Sequence, residues 1–134
     1  MIGSTTPFHL NGRLKSILNI LYDLQVDKLE KLIEMQSELA SVLASPRYPS
    51  KSEERISFLC TAIIHEAVEL QRLTNWKWWK NPTHFDLEDA KEELIDIWHF
   101  VLQATIELKM TPEDVVKYYS NKNNINKKRK KMNY

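Results

Sequence analysis

Apolar residues recur along most of this chain at spacings of three and four positions, which predicts helices rather than strands. Only two glycines and five prolines interrupt the chain, so a few long helices are favoured over many short strands. The first helix is predicted from about Leu14 to Leu43, with a break near Val26. It ends before Pro46 and Pro49, because the residue that precedes a proline disfavours helical geometry.

Capping residues predict where the next two helices begin. Ser50 and Glu53 have the spacing of a capping box, which predicts a second helix that ends near Leu73. Asp86 is suited to cap a third helix, which is predicted to end near Lys109.

The fourth helix is predicted to begin after Thr111, a capping residue that is followed by proline and two acids. Beyond Tyr119 the sequence is polar and its helical pattern weakens. Four helices with short connections in a chain of 134 residues predict one all-α domain over residues 1–134, with a compact four-helix arrangement.

Two pairs of acidic residues lie on helix faces that the apolar pattern predicts to be buried. In the second helix Glu66 falls in the middle of the apolar stripe, and Glu69 lies one turn along, at its edge. In the third helix Glu93 falls within the stripe and Asp96 flanks it. The stripes are formed by Leu59, Ile63, Leu70 and Leu73 in the second helix and by Ala90, Ile97, Val101, Ala104 and Leu108 in the third.

These acidic pairs predict a metal site. Consecutive helices with a short connection pack antiparallel, so the two pairs can face each other. Clustered carboxylates repel one another and lose hydration, at a cost on the order of several kcal/mol per uncompensated ion. Mg²⁺ relieves this repulsion, since it binds oxygen ligands and leaves positions for water and phosphate. The alternative is that the acids form salt bridges with neighbours such as Arg72 and Lys91.

Two glutamines of the first helix are also placed unusually. Gln25 and Gln36 lie on almost the same face, and Gln36 is surrounded by leucine and isoleucine. A buried amide needs hydrogen-bond partners, which the edge of a nucleotide base would supply. Partners on another helix, or water, fit the pattern equally well.

Charge and composition narrow the class of protein. Residues 1–121 carry 13 basic and 18 acidic residues, a net charge of −5, whereas the tail over 120–134 is basic. The single Cys60 excludes an intramolecular disulfide and a multi-cysteine zinc site, and it fits a reducing cytosol. No apolar run approaches the roughly 18 residues of a membrane span, and no signal-peptide pattern opens the chain. We therefore expect a cytoplasmic protein in which an acidic body meets a basic tail.

Four short motifs follow one another along the chain. Leu32–Leu39 reads LxxxQxxL, and His65–Leu70 contains an ExxE pair. Glu93–Phe100 reads ExxDxxHF, and Tyr119–Arg129 contains K-N-x-x-N-x-x-R. Together they resemble the motifs of phage dCTP/dUTP pyrophosphatases and dimeric dUTPases, a branch of the all-α, MazG-like nucleoside triphosphate pyrophosphatases. The resemblance covers about residues 29–134.

The resemblance implies a reaction and a set of site residues. The reaction is hydrolysis of dUTP or dCTP between the α- and β-phosphates, and the assembly is a homodimer or a larger homo-oligomer. Mg²⁺, with Mn²⁺ as the alternative ion, would be held by Glu66, Glu69, Glu93 and Asp96, and Glu66 or Glu69 would act on the attacking water. The substrate would be bound by Gln36, Lys77, Trp79, His99 and Phe100 near the nucleoside and by Lys122, Asn126, Arg129 and Tyr134 at the phosphates.

Departures and alternatives accompany this resemblance. Leu39 or Ala40 stands where the family has a polar residue after the glutamine, and the chain is shorter than many dimeric dUTPases. Another MazG-like activity, on purine or noncanonical triphosphates, stays open. So does a di-iron bundle that uses Asp96 and His99, although a second such pair is missing. A nucleic-acid or regulatory module is the third alternative, but simple charge attraction would not need the asparagine spacing of the tail.

Overall fold

Four helices and no strand make up the described part of the chain, which is residues 27–132 together with residues 12 and 16 of a computed structural model. This confirms the predicted all-α class. Apart from residue 16, the helical stretch predicted before residue 27, including Gln25, lies outside the described residues, as does the C-terminal Tyr134. The helices are α1 (Lys28–Val42), α2 (Ser52–Arg72), α3 (Leu87–Glu107) and α4 (Pro112–Lys131).

Side-chain caps determine three of the four helix starts. Asp27 accepts hydrogen bonds from two amides of the first turn of α1, at 2.9 and 3.4 Å. Asp86 caps α3 in the same way, at 2.9 and 3.2 Å. At α4 the side chains of Thr111 and Asp114 each accept from the other residue's amide, at 3.1 Å. The caps at Asp86 and Thr111 confirm the predicted starts of α3 and α4.

The predicted capping box of Ser50 and Glu53 is wrong. α2 begins at Ser52, and Lys51 occupies the cap position without a side-chain hydrogen bond. The Arg55 amide donates to the Lys51 carbonyl at 3.1 Å, which leaves Ser50 outside the helix. Two glutamates in the first turn favour the helix start instead, because they lie near the positive end of its dipole.

α3 is the central helix of the described part, because it packs extensively on α2 and also on α1. By contrast, α4 packs little on the other helices and buries no residue. The buried apolar side chains are Leu59 on α2 and Ala90 and Leu102 on α3. Leu102 lies outside the predicted stripe, and its burial fits a helix that packs against two others. Leu108 and Val101 of the predicted stripe are 58% and 40% exposed, so the stripe is buried only in part.

A tight turn joins α3 to α4. Lys109 adopts a positive φ of 56°, and the Met110 amide donates to the Thr105 carbonyl at 3.1 Å. After this turn α4 continues to Lys131, well beyond Tyr119, where the helical pattern of the sequence weakens. Neither α4 nor another helix of the described part has the length and apolar character needed to cross a membrane.

Candidate active site

Three carboxylates from α2 and α3 form an acidic cluster. Glu66 and Glu69 lie one turn apart on α2, and Glu93 meets them from α3. Each residue offers one carboxylate oxygen, and these three oxygens all lie within 4.8 Å of one another. This is the facing arrangement that the helix spacing predicts. Asp96, the fourth predicted ligand, lies outside this group of three, one turn further along α3.

The acidic cluster is electrostatically unfavourable without a cation. Partial desolvation, followed by the charges of Glu69, Asp96 and Glu66, raises the pKa of Glu93 above its ordinary value. The salt bridges considered from sequence do not neutralise the cluster within the described residues. Lys91 pairs instead with Glu88, at 2.7 Å, and no ion pair joins Arg72 to the cluster.

A cleft of about 820 Å³ adjoins the acidic cluster. Glu66 belongs to both the cluster and the cleft, and Asp96 also lines the cleft. Three residues predicted to contact the nucleoside, Gln36, His99 and Phe100, line it as well. The structure thus brings five predicted site residues to one cavity, with contributions from α1, α2 and α3.

A chain of hydrogen bonds runs along one side of the cleft. Gln36 is buried on α1, and its Oε1 accepts from Nδ1 of His99 at 2.8 Å. Its Nε2 donates to Oε1 of Gln103 at 3.0 Å, and Gln103 Nε2 donates to Oε1 of Glu107 at 3.2 Å. The buried amide therefore has partners on another helix, which was one of the two alternatives left open by the sequence.

Glu107 ends this chain in an ion pair. Its Oε2 lies 2.8 Å from Nε of Arg55 on α2, and its Oε1 also accepts from the hydroxyl of Tyr48 at 3.0 Å. The Arg55 guanidinium lies 5.8 Å from the centre of the Tyr48 ring. Burial, followed by the hydrogen bond and charge of Glu107, raises the pKa of Tyr48, so the phenol stays protonated and donates. We call Gln36, His99, Gln103, Glu107, Arg55 and Tyr48 the amide network.

Sequence reasoning missed four members of this network. His99, Gln103 and Glu107 are four residues apart, so they form a polar row on one face of α3, a signal that was available. Arg55 and Tyr48 gave no such signal, because they come from α2 and from the loop before it.

The other predicted substrate-binding residues do not line the cleft. Lys77 lies over the ring of Trp76, 5.1 Å from its centre, and Trp79 packs edge-to-face between Trp76 and Trp78. Lys122, Asn126 and Arg129 are exposed on α4, which packs little on the other helices. Their roles therefore stay predictions.

The composition of the acidic cluster bears on the di-iron alternative. The cluster contains three carboxylates and no histidine. His99, the residue that alternative requires, lies outside the cluster. Hard cations with oxygen ligands suit the cluster better than iron held by imidazole.

Most of the chain matches a known protein family. A family model described as dUTPase matches residues 28–113, which include α1, α2, α3 and the start of α4. Neither curated proteins nor solved structures give a match to this chain. The matched residues contain the acidic cluster, the cleft and the amide network, and they make up more than half of the chain. The chain therefore belongs to the all-α dUTPase family.

Proposed function

We propose that this protein is a Mg²⁺-dependent pyrophosphatase that hydrolyses dUTP or dCTP to the monophosphate and pyrophosphate. Family membership supports the general activity, that of a nucleoside triphosphate diphosphatase. The observation that carries the proposal is the position of Glu66, which belongs to the acidic cluster and also lines the cleft. A phosphate bound at the cluster would leave its nucleoside next to Gln36, His99 and Phe100.

The residues of the acidic cluster fit a hard divalent cation. They offer carboxylate oxygens, the ligands that Mg²⁺ and Mn²⁺ prefer. Partial desolvation, followed by the charges of the neighbouring carboxylates, raises the pKa of Glu93, and a bound cation would compensate those charges. We propose that Glu66, Glu69 and Glu93 hold the ion, with Asp96 as a further ligand from the cleft side. When bound, such an ion supplies charge neutralisation and polarisation of the reacting phosphate.

The side chains of this protein would divide the remaining work. Glu66 or Glu69 would orient the attacking water and accept its proton. Phe100 would pack on the nucleoside, while Gln36 and His99 would form hydrogen bonds to it. Lys77 and Trp79, which do not line the cleft, would contact the substrate from outside it. The phosphates would be bound by Lys122, Asn126, Arg129 and Tyr134.

We further propose that the chain acts as a homodimer or larger homo-oligomer. Large apolar side chains are exposed on several helices, among them Met35 on α1, Phe58 and Ile64 on α2, and Trp98 on α3. Exposed apolar surface of this kind is typical of subunit interfaces. Sedimentation of the protein at several concentrations tests this part of the proposal.

A substrate panel tests the proposed activity. Pyrophosphate release would be measured for all common ribo- and deoxyribonucleoside triphosphates, with Mg²⁺, with Mn²⁺ and with a chelator. We expect release from dUTP or dCTP that depends on the added ion. Preference for a purine triphosphate would assign the protein to another MazG-like activity, and release of free nucleotides from DNA or RNA alone would replace the proposal with a nuclease.

A further inference from the structure

The carboxylate of Glu107 determines which groups of the amide network donate hydrogen bonds and which accept them. Because it is paired with the Arg55 guanidinium, Glu107 only accepts hydrogen bonds, so the bond from Gln103 must be donated by Nε2. Gln103 Oε1 is then left to accept from Gln36 Nε2, and Gln36 Oε1 is left to accept from His99. The orientation of each amide thus determines the orientation of the next.

This direction determines which nitrogen of His99 carries the proton. Nδ1 donates to Gln36, so in the neutral imidazole Nε2 has a free lone pair. His99 is exposed and lines the cleft, and its Nε2 forms no hydrogen bond to the part of the chain that the structure describes. Nε2 is therefore the nitrogen that is left for a bound molecule.

We propose that Glu107 is a positioning residue, which acts through Gln103 and Gln36 to hold His99 in the Nδ1–H tautomer. His99 Nε2 then accepts a hydrogen bond from the nucleoside of the substrate. The identity of this ligand rests on the proposed function, whereas the tautomer is a property of the free protein.

The alternative orientation of the network is strongly disfavoured. If both amides flipped, an NH₂ group of Gln36 would face His99 Nδ1, and the carbonyl oxygen of Gln103 would face the carboxylate of Glu107. The second contact opposes two acceptors, and the side chain of Glu107 is only 12% exposed, so water cannot easily separate them.

Two groups of a pyrimidine deoxynucleoside can supply the donor. One is an N–H group of the base, such as the imide of uracil, and the other is the 3′-hydroxyl of the deoxyribose. Both present a hydrogen to a free lone pair, so the structure assigns the shared chemistry, a hydrogen-bond donor of the nucleoside. Analogues that lack one donor at a time distinguish the two sources.

The tautomer is tested by the ¹⁵N chemical shifts of the His99 ring. Spectra of protein labelled with [¹⁵N]histidine would be recorded at about pH 8, above the ordinary imidazole pKa of about 6.5, and assigned with a His99→Gln variant. We expect a protonated Nδ1 and an unprotonated Nε2. In Glu107→Gln and in Gln103→Met, the Nε2–H tautomer should become populated, because the Gln36 amide is then free to flip. Gln103→Met keeps the Arg55–Glu107 pair, so it still tests the tautomer of His99 if Glu107→Gln does not fold.

Tyr48→Phe is the matched control. It removes a hydrogen bond to Glu107 and an interaction with Gln103 but keeps the Glu107 carboxylate that directs the network, so the ring shifts of His99 should stay as in the wild type. A wild-type protein with protonated Nε2 would overturn the proposal. So would a shift change in Tyr48→Phe as large as in Gln103→Met, since that result would indicate a loss of packing.

The ligand is tested with the non-hydrolysable α,β-imido analogue of dUTP, its N3-methyl derivative and its 3′-deoxy derivative. We expect one derivative to bind the wild type about tenfold more weakly than the parent does. In Gln103→Met, the difference in affinity between that derivative and the parent should be smaller. Equal binding of all three would show that His99 accepts no hydrogen bond from the nucleoside. If the parent does not bind while the ring shifts are as expected, dUTP is not the substrate and the positioning role of Glu107 stands.

Discussion

The acidic cluster and the amide network are two groups of polar side chains in one small helical protein. They differ in whether neighbouring side chains compensate their charges and hydrogen-bonding groups. In the cluster, Glu66, Glu69 and Glu93 bring like charges together. In the network, Glu107 is paired with Arg55 and accepts two hydrogen bonds at Oε1, and the oxygen and the nitrogen of the Gln36 amide each have a partner. The first group needs a cation to compensate its charges, whereas the second contains its own partners.

This difference separates the two uses of polar groups inside a fold. A set of polar side chains that satisfies itself orders the helices around it and fixes atoms in place. A set of like charges costs stability and is useful only where a ligand compensates for it. Substitutions should therefore have opposite effects in the two regions: activity lost without loss of stability in the cluster, and stability lost in the network.

The largest effect is expected from Glu66→Gln. The change keeps the size of the side chain but removes a charge that we assign to metal binding, so pyrophosphate release should fall by at least about a hundredfold. The far-ultraviolet circular dichroism spectrum should stay unchanged. Glu92→Gln, an exposed position on α3 next to the cluster, is the control and should keep wild-type turnover. Wild-type turnover in Glu66→Gln would refute the metal site.

The second prediction concerns the stability that the amide network provides, which Glu107→Ala should reduce. This substitution leaves the partly buried Arg55 without its partner, so the free energy of unfolding should fall by about 2–3 kcal/mol. Urea denaturation measures the change. Lys91→Ala breaks an ion pair of similar length that is well exposed, and it should change stability by less than about 0.5 kcal/mol. Equal losses in the two variants would mean that the network gives no more stability than a surface ion pair.

The tail adds a third polar group, in which the side chains are exposed and few contacts hold them. Lys122, Asn126 and Arg129 recur at spacings of four and three along α4, so they share a face. We predict that Arg129→Ala or Asn126→Ala raises KM or lowers kcat by about tenfold, roughly 1.4 kcal/mol. Lys128→Ala and Lys130→Ala should change only the salt dependence. Equal effects from all four would indicate an undirected basic patch.

The smallest effect concerns the stability of the metal-free protein. Since the pKa of Glu93 is raised in the fold, the folded state binds its proton more tightly than the unfolded chain does. Its contribution to stability is therefore fully present below the ordinary glutamate pKa of about 4.3 and is lost as the pH rises through the raised value. Glu93→Gln should remove this loss, so at neutral pH with a chelator its Tm should exceed that of the wild type.

The Tm of the wild type and of Glu93→Gln would then be measured again with added Mg²⁺. It should raise the Tm of the wild type, because a ligand that binds the folded state stabilises it, and it should raise the Tm of Glu93→Gln much less. A variant that is less stable than the wild type in chelator would show that Glu93 has favourable partners, contrary to the imbalance described above.

The sequence predicts the acidic cluster because helical periodicity is enough to find it. Glu66 and Glu93 interrupt apolar stripes, and their meeting needs only that α2 and α3 pack side by side. The all-α class and the starts of α3 and α4 follow from equally local signals. At α2 the local signal is wrong, because the helix begins at Ser52 and not after Ser50. A capping motif does not exclude a helix start two residues further along the chain.

The amide network could not be predicted in full because it depends on tertiary placement. The polar row of α3 is visible in the sequence, and Gln36 was identified as a buried amide that needs partners. Which partners it takes depends on how α1 crosses α3, and periodicity does not encode that crossing. Tyr48 and Arg55 join through a loop and a third helix, so their roles become visible only when the chain is folded.

The small number of buried side chains has a consequence for how this protein behaves on dilution. Among the described residues, only Leu59, Ala90, Leu102 and Gln36 are buried. A helical chain with so little enclosed apolar surface gains much of its folding free energy from association, if it assembles as we propose. Mass action then links folding to concentration, so the melting temperature should increase with protein concentration. Specific activity should fall when an assay is diluted below the dissociation constant of the assembly.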